Sequence, residues 1–320
     1  MKKIIFTIIA VFVLSLGACA PRPASGSEDG SQAEVEGAPI RVLAANSFLA
    51  DIAQNVAGER VKVESLVPIG LDPHAFEPTP LDVAKIADSQ VLIVNGAGFE
   101  EWLEKTIQNA GGNAKIIEVS AGIAMRQPGE NEPEHADEEH AGDPQGDPHF
   151  WLDPNQVIKY AENIRDGLSE VDPAGKEIYT QNAADYIAQL QELDAWMRTQ
   201  VEQIPVERRI LVTDHDTLGY FADQYGFSVS GAIIPSFSSG ASPSAQELAG
   251  LIDQINSTGA PAIFLDVASN PKLAEQIAAE TGVSVVADLY THSITEADGA
   301  APTYIEMMRH NTLRIVEALK

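Results

Sequence analysis

Eight short runs dense in Val, Ile and Leu recur along the chain, four before residue 150 and four after residue 205. The first four are "IRVLAANS", "VKVESLVP", "VLIVNGAG" and "AKIIEVS". The second four are "RRILVTDH", "FSVSGAII", "APAIFLDV" and "VSVVADL". The apolar residues are nearly continuous rather than alternating, as expected of parallel strands covered by helices on both faces. Helical patterns lie between them: "FLADIAQNVAG", "TPLDVAKIADS", "SPSAQELAGLIDQINSTG" and "NPKLAEQIAAETG". Thr79 before Pro80, Asn270 before Pro271 and the Ser244–Glu247 capping box mark helix starts, and Gly58, Gly259 and Gly282 mark helix ends. The alternation predicts an α/β chain with two open parallel sheets of about four strands each.

Between the halves, residues 173–205 contain no internal proline. Their apolar positions Ile178, Tyr186, Leu190, Leu193, Trp196, Met197 and Val201 recur at mostly helical spacing. One rigid helix of about thirty residues, some 45 Å at 1.5 Å per residue, is expected there. The halves are then an N-terminal α/β domain over 40–172 and a C-terminal one over 206–320.

The N-terminus is a separate matter. "MKKIIFTIIAVFVLSLGAC" has two lysines, an apolar run and small residues before a cysteine, the plan of a signal peptide over residues 1–18. The run is too short for a permanent membrane span. "LGAC" resembles a bacterial lipobox, which makes Cys19, the only cysteine, the expected lipidated N-terminus. With no second thiol an internal disulfide is excluded. Residues 19–39 are mostly Pro, Gly, Ser, Ala and acids and cannot bury enough apolar area to fold, so a flexible tether is expected.

The remaining chain is long enough for two ordinary domains, and 44% of the sequence is hydrophobic. The net charge of −27 becomes −29 once Lys2 and Lys3 are removed. Such a body repels nucleic acid and anionic lipid and favours cations. One segment interrupts the alternation. Residues 127–148 carry eight Asp or Glu, with His135, His140 and several prolines. This reads as a mobile acidic loop, with His135 and His140 as accessory metal-binding candidates beside His149.

The seven histidines concentrate the chemistry. Open α/β sheets bind ligands beyond the carboxyl ends of their strands. His215 ends "RRILVTDH", Asp288 nearly ends "VSVVADL", His74 follows "VKVESLVP" by a short loop, and His149 closes the acidic loop. Three imidazoles and a carboxylate, two from each half, form a four-coordinate set that suits Zn²⁺; more carboxylates would shift it toward Mn²⁺. Asp266, at another strand end, and His292, four residues beyond Asp288, are rivals for the fourth place. His310 falls on the face of the last helix. A zinc hydrolase is the alternative from another class, with Asp216 or Glu77 as base if the fourth position held water. No His-Glu-x-x-His motif is present, and no enzyme is expected. An adhesin-like surface role would explain the anchor but not the converging ligands.

Several stretches carry a resemblance: "PHAFEPTP", "DPHFWLDP", "DHDTLGYFADQYGF", "SPSAQELAGLIDQI", "NPKLAEQIAAETG" and the terminal "YIEMMRHNTLRIVEALK". With them the chain resembles the zinc/manganese solute-binding lipoproteins of bacterial ABC importers, the cluster A-I or ZnuA/TroA-like family. The resemblance implies two four-stranded domains joined by a long helix, and metal ligands at His74, His149, His215 and Asp288. Histidine at the third position is the choice of many zinc binders, where manganese binders typically carry glutamate. It further implies delivery of Zn²⁺, or alternatively Mn²⁺, to an ABC permease, with a monomer held at the membrane through Cys19. Asp266 replaces a glutamate of many relatives, which strengthens its claim as an outer-shell residue, and the acidic loop is poor in histidine beside the runs of some zinc members. Cys19→Ser is expected to move the protein from the membrane fraction to the soluble fraction; retention in the membrane would refute the anchor.

Overall fold

The computed structural model describes residues 40–126 and 146–320. The signal, the tether and Cys19 lie outside them, as do His135 and His140 and most of the acidic loop.

The first half runs β1 (Val42–Ala44), α1 (Ser47–Ala57), β2 (Val63–Ser65), α2 (Pro80–Asp88), β3 (Val91–Val94), α3 (Leu103–Ala110) and β4 (Lys115–Glu118). Its sheet has the order β2-β1-β3-β4. All pairs are parallel, with Val42 registered against both Val63 and Val91. The second half runs β5 (Ile210–His215), α6 (Gly219–Tyr225), β6 (Ser228–Ile234), α7 (Ala245–Thr258), β7 (Ala262–Asp266), α8 (Lys272–Thr281), β8 (Ser284–Leu289) and α9 (Tyr304–Leu319). Its sheet order, β6-β5-β7-β8, repeats the first by topology. All eight apolar runs are therefore strands. The inner strands β1, β3 and β7 are buried throughout, while the edge strand β4 exposes Lys115, Ile116 and Glu118. Helices cover both faces, so continuous apolar patterning is what the inner strands need.

The helix signals act as expected. Thr79 and Ser244 each close a capping box, with Asp82 and Glu247. Gly58, Gly259 and Gly282 end α1, α7 and α8 at positive φ. At Asn270 the helix begins later than expected: the Asn270 side chain accepts the Lys272 N–H at 3.1 Å, and Lys272 is the first helical residue.

Between the halves stand α4 (Pro154–Val171) and α5 (Lys176–Val201). The 26-residue α5 is the long joining helix, about 39 Å at 1.5 Å per residue. It starts after a 3₁₀ turn at Pro173–Gly175. Asp172 accepts from the Arg60 guanidinium and the Tyr179 hydroxyl at that corner. The buried face of α5 is Tyr179, Ala183, Tyr186, Leu190, Leu193, Met197 and Val201; Ile178 is 43% exposed, contrary to the sequence pattern. One core runs without a break from Phe48 and Ile52 of α1, through Tyr160 of α4 and Tyr186 and Leu193 of α5, to Phe264 of β7 and Met308 of α9. Pro39–Lys320 accordingly forms one compact unit. No helix among the described residues is long and apolar enough to cross a membrane.

Asp51 of α1 accepts the Tyr304 N–H at the start of α9 at 2.8 Å. Burial pushes its carboxyl up to about 6, only partly opposed by that hydrogen bond. The folded state thus binds a proton more readily than the unfolded chain, whose carboxyl titrates near 3.8. Stability is greatest below that value, falls as pH rises toward about 6, and stays lower above. Asp51→Asn keeps the acceptor and removes the charge. At pH 7 it is expected to stabilise the fold by about 1–3 kcal/mol, an advantage that vanishes near pH 4. Urea midpoints of both proteins at the two pH values check this.

Candidate metal centre

Each of four histidines is placed by a different local device. His74 lies in a 3₁₀ turn, Pro73–Ala75, after β2. Asp72 caps that turn by accepting the His74 N–H at 2.9 Å. His149 precedes a second 3₁₀ turn, Phe150–Leu152; Asp147 Oδ1 accepts its N–H and faces its Nδ1, both at 2.9 Å. His215 is the last residue of β5. Asp214 Oδ1 accepts its N–H at 2.9 Å and lies 3.1 Å from its Nδ1. His292 lies on the segment after β8, where Thr291 Oγ1 is 2.8 Å from its Nδ1.

The four rings form a nearly regular tetrahedron. Centroid distances are 5.7, 5.6 and 5.2 Å from His74 to His149, His215 and His292. The remaining three are 5.4, 5.4 and 5.0 Å. One nitrogen from each ring lies within 4.8 Å of the other three. His149, His215 and His292 are buried and His74 is half-buried. Nε2 of His149 and His292 and both ring nitrogens of His74 and of His215 are buried with no hydrogen-bond partner. Orphaned buried nitrogens are rare and costly, and four of them meeting at one point suit a cation with four coordination positions.

Aromatic walls exclude water. Phe99 meets His74 edge-on at 4.9 Å and stacks on His292 at 6.0 Å, and Trp151 lies 5.2 Å from His149. Burial, reinforced by the neighbouring imidazoles, holds His74 and His149 well below the usual histidine range. They are neutral near pH 7, the form that donates a lone pair. Burial also pulls His292 down, but the facing Asp266 carboxylate outweighs it and raises that ring. Burial would lift Asp214 and Asp266 as well; facing histidines and hydrogen bonds outweigh it and hold both below the usual carboxylate range.

His74, His149 and His215 thus meet as their positions at strand-end loops predict. Asp288 does not join them. Its side chain turns toward α9, where Arg314 Nε donates to it at 3.0 Å, and its carbonyl oxygen lies 2.8 Å from His310 Nε2. β8 runs one residue further to Leu289, and it is His292, three residues beyond the strand, that lies beside the other three rings. A signal was present in the sequence: His74, His149 and His215 each follow an aspartate by one or two residues, and nothing of that kind precedes a carboxylate ligand at Asp288. Asp266 sits behind His292, accepting the Thr291 N–H and hydroxyl at 2.7 Å each.

Comparison with known proteins shows the family and the fold. The family model described as "Zinc-uptake complex component A periplasmic" matches residues 42–318. The manganese-binding lipoprotein MntA of Halalkalibacterium halodurans is 35% identical over 320 residues, all of this chain and 99% of the relative. The manganese ABC transporter substrate-binding lipoprotein PsaA of Streptococcus anginosus is 31% identical over 328 residues, with the same shares. Among solved structures, a Mn-bound periplasmic metal binding protein from Candidatus Liberibacter asiaticus has a TM-score of 0.74 at 30% identity, covering 88% of this chain and 100% of that one. The periplasmic zinc binding protein TroA of Treponema pallidum has a TM-score of 0.77 at 28% identity, over 88% and 99%.

Replacing His292 by alanine is expected to weaken metal binding by at least about 100-fold, since outer-shell changes alone cost 10–100-fold. Asp288→Asn should leave the affinity within a factor of about 2, the size of an exposed ion pair's contribution. Isothermal titration of both variants with Zn²⁺ and with Mn²⁺ decides between the two positions.

Proposed function

The chain belongs to the zinc-uptake component A family of substrate-binding proteins, and on that premise we propose that its cargo is Zn²⁺, captured outside the cytoplasmic membrane and passed to the permease of an ABC importer. It is a metal-binding component of an ABC transporter and not an enzyme, like its relatives. The observation that carries the zinc reading is the donor set: four imidazole nitrogens within 4.8 Å of one another and no carboxylate among them. Imidazole suits zinc, whereas manganese is better served by carboxylate, carbonyl and water oxygens. Ligand roles for His74, His149, His215 and His292 follow from this reading. Four protein nitrogens would close a tetrahedral sphere, the arrangement for holding an ion rather than activating water.

A second reading, Mn²⁺ as cargo, has kinship in its favour. The relatives MntA and PsaA are both named for manganese, and one of the solved relatives holds manganese. Attachment through Cys19 belongs to the same proposal; it is supported by the lipobox-like "LGAC" and by relatives described as lipoproteins.

In vitro competition between the ions is a poor test, because nitrogen and oxygen sites in general bind zinc more tightly than manganese. Tracer uptake by cells is decisive. A strain lacking this protein is expected to lose high-affinity uptake of radiolabelled zinc and to keep that of manganese. The opposite loss would establish manganese as the cargo.

A further inference from the structure

Behind the four imidazoles lies a set of groups whose chemistry decides which ring nitrogen carries the proton. An ionised carboxylate can only accept. Asp147 Oδ1, 2.9 Å from His149 Nδ1, therefore requires a proton on that nitrogen. Asp214 Oδ1, 3.1 Å from His215 Nδ1, favours the same form. At His292 the logic passes through one more atom. The single hydroxyl proton of Thr291 goes to Asp266 Oδ2 at 2.7 Å. The Thr291 oxygen is left with lone pairs only, so at 2.8 Å it must accept from His292 Nδ1–H. In the neutral form of each ring Nε2 is then the bare nitrogen, and Nε2 of all three is buried without a partner, as is Nδ1 of His215.

We propose that Asp147 and the Asp266–Thr291 pair are positioning residues that lock His149 and His292 in the Nδ1–H tautomer and turn their Nε2 lone pairs to one point, and that the charge of Asp214, 3.1 Å from His215 Nδ1, biases that ring the same way. The inference rests on the reading of the four histidines as metal ligands. Asp147, Asp214 and Asp266 are 1%, 6% and 5% exposed, so their charge acts on the cleft with little screening by water. His74 differs: Asp72 binds only its backbone N–H, and neither ring nitrogen is held. Two rings are thus set before the ion arrives, His215 is biased by the charge of Asp214, and His74 is free to choose its nitrogen.

Thr291 gives the sharpest test, because Thr291→Val removes one oxygen and no charge. Asp266 Oδ2 keeps the N–H donors of Thr291 and His292. Histidine nitrogen NMR on the metal-free wild-type protein, taken above the pH at which the His292 ring becomes neutral, is expected to show His292 with protonated Nδ1 and bare Nε2. Thr291→Val should release that preference and weaken zinc binding about 10–100-fold, with Thr291→Ser restoring both. Wild-type His292 in the Nε2–H form would overturn the proposal whether or not the valine variant folds. So would a folded Thr291→Val protein with wild-type tautomer and affinity, or failure of the serine variant to restore them. The tautomer is read without metal: a wild-type protein with the expected tautomers but no zinc binding would sink the metal reading and leave the positioning roles standing.

Discussion

Lone pairs on four buried imidazoles, drawn from two separate sheets to one point, are the constraint around which this molecule is arranged. A buried nitrogen with no partner costs about 1–3 kcal/mol, and no fold holds four of them together without strong support elsewhere. That support is visible in each direction. Phe99 and Trp151 wall the site, Asp147 and the Asp266–Thr291 pair hold His149 and His292 from behind, and Asp214 lies beside His215. His74, in the turn after β2, and His215, at the end of β5, bring strand ends of both sheets to the same four rings.

The halves are also stitched at the cleft itself. Trp151 Nε1–H donates to the Thr291 carbonyl at 2.7 Å, and Tyr304 Oη–H to the Trp151 carbonyl at 2.6 Å. The Ser293 hydroxyl accepts the Gly70 N–H at 2.8 Å and lies 3.1 Å from Ser47 Oγ. Ser239 of the second half donates to Asp72 of the first. These bonds fall on the same turns that carry His74 and His292. The segment that delivers His292 is thus shaped as much by the first half as by its own strand.

This explains what the sequence disclosed and what it withheld. All eight strands were legible because burial on both faces leaves a continuous apolar run, and helix ends were legible because caps need particular side chains. His74, His149 and His215 could be found because each sits at a local signal, a turn or strand end with an aspartate just before it. Asp288 looked equivalent, but side chains alternate along a strand, and its own faces α9 and Arg314. That the chain enters the cleft at residue 292 depends on bonds to Trp151 and Ser47, more than a hundred residues away, which no local pattern encodes. Likewise Ile178 fits the helical period of α5 yet stays exposed, because the neighbours that decide which face is covered are tertiary. The manganese-binding relatives show the same limit at the level of cargo: kinship over the whole chain points one way and four nitrogen donors the other.

The unbroken core through α1, α4, α5, β7 and α9 has a thermodynamic consequence. A chain whose two sheets share their packing cannot lose one and keep the other, so it melts as a single cooperative body. Stabilisation by a bound ion follows mass action and reaches about 4 kcal/mol at a thousand times the dissociation constant. In a shared core that stabilisation is not confined to the loops around the histidines. It extends to helices as distant as α9, so occupancy of one small site sets how often the packed elements of residues 40–126 and 146–320 are exposed to a protease.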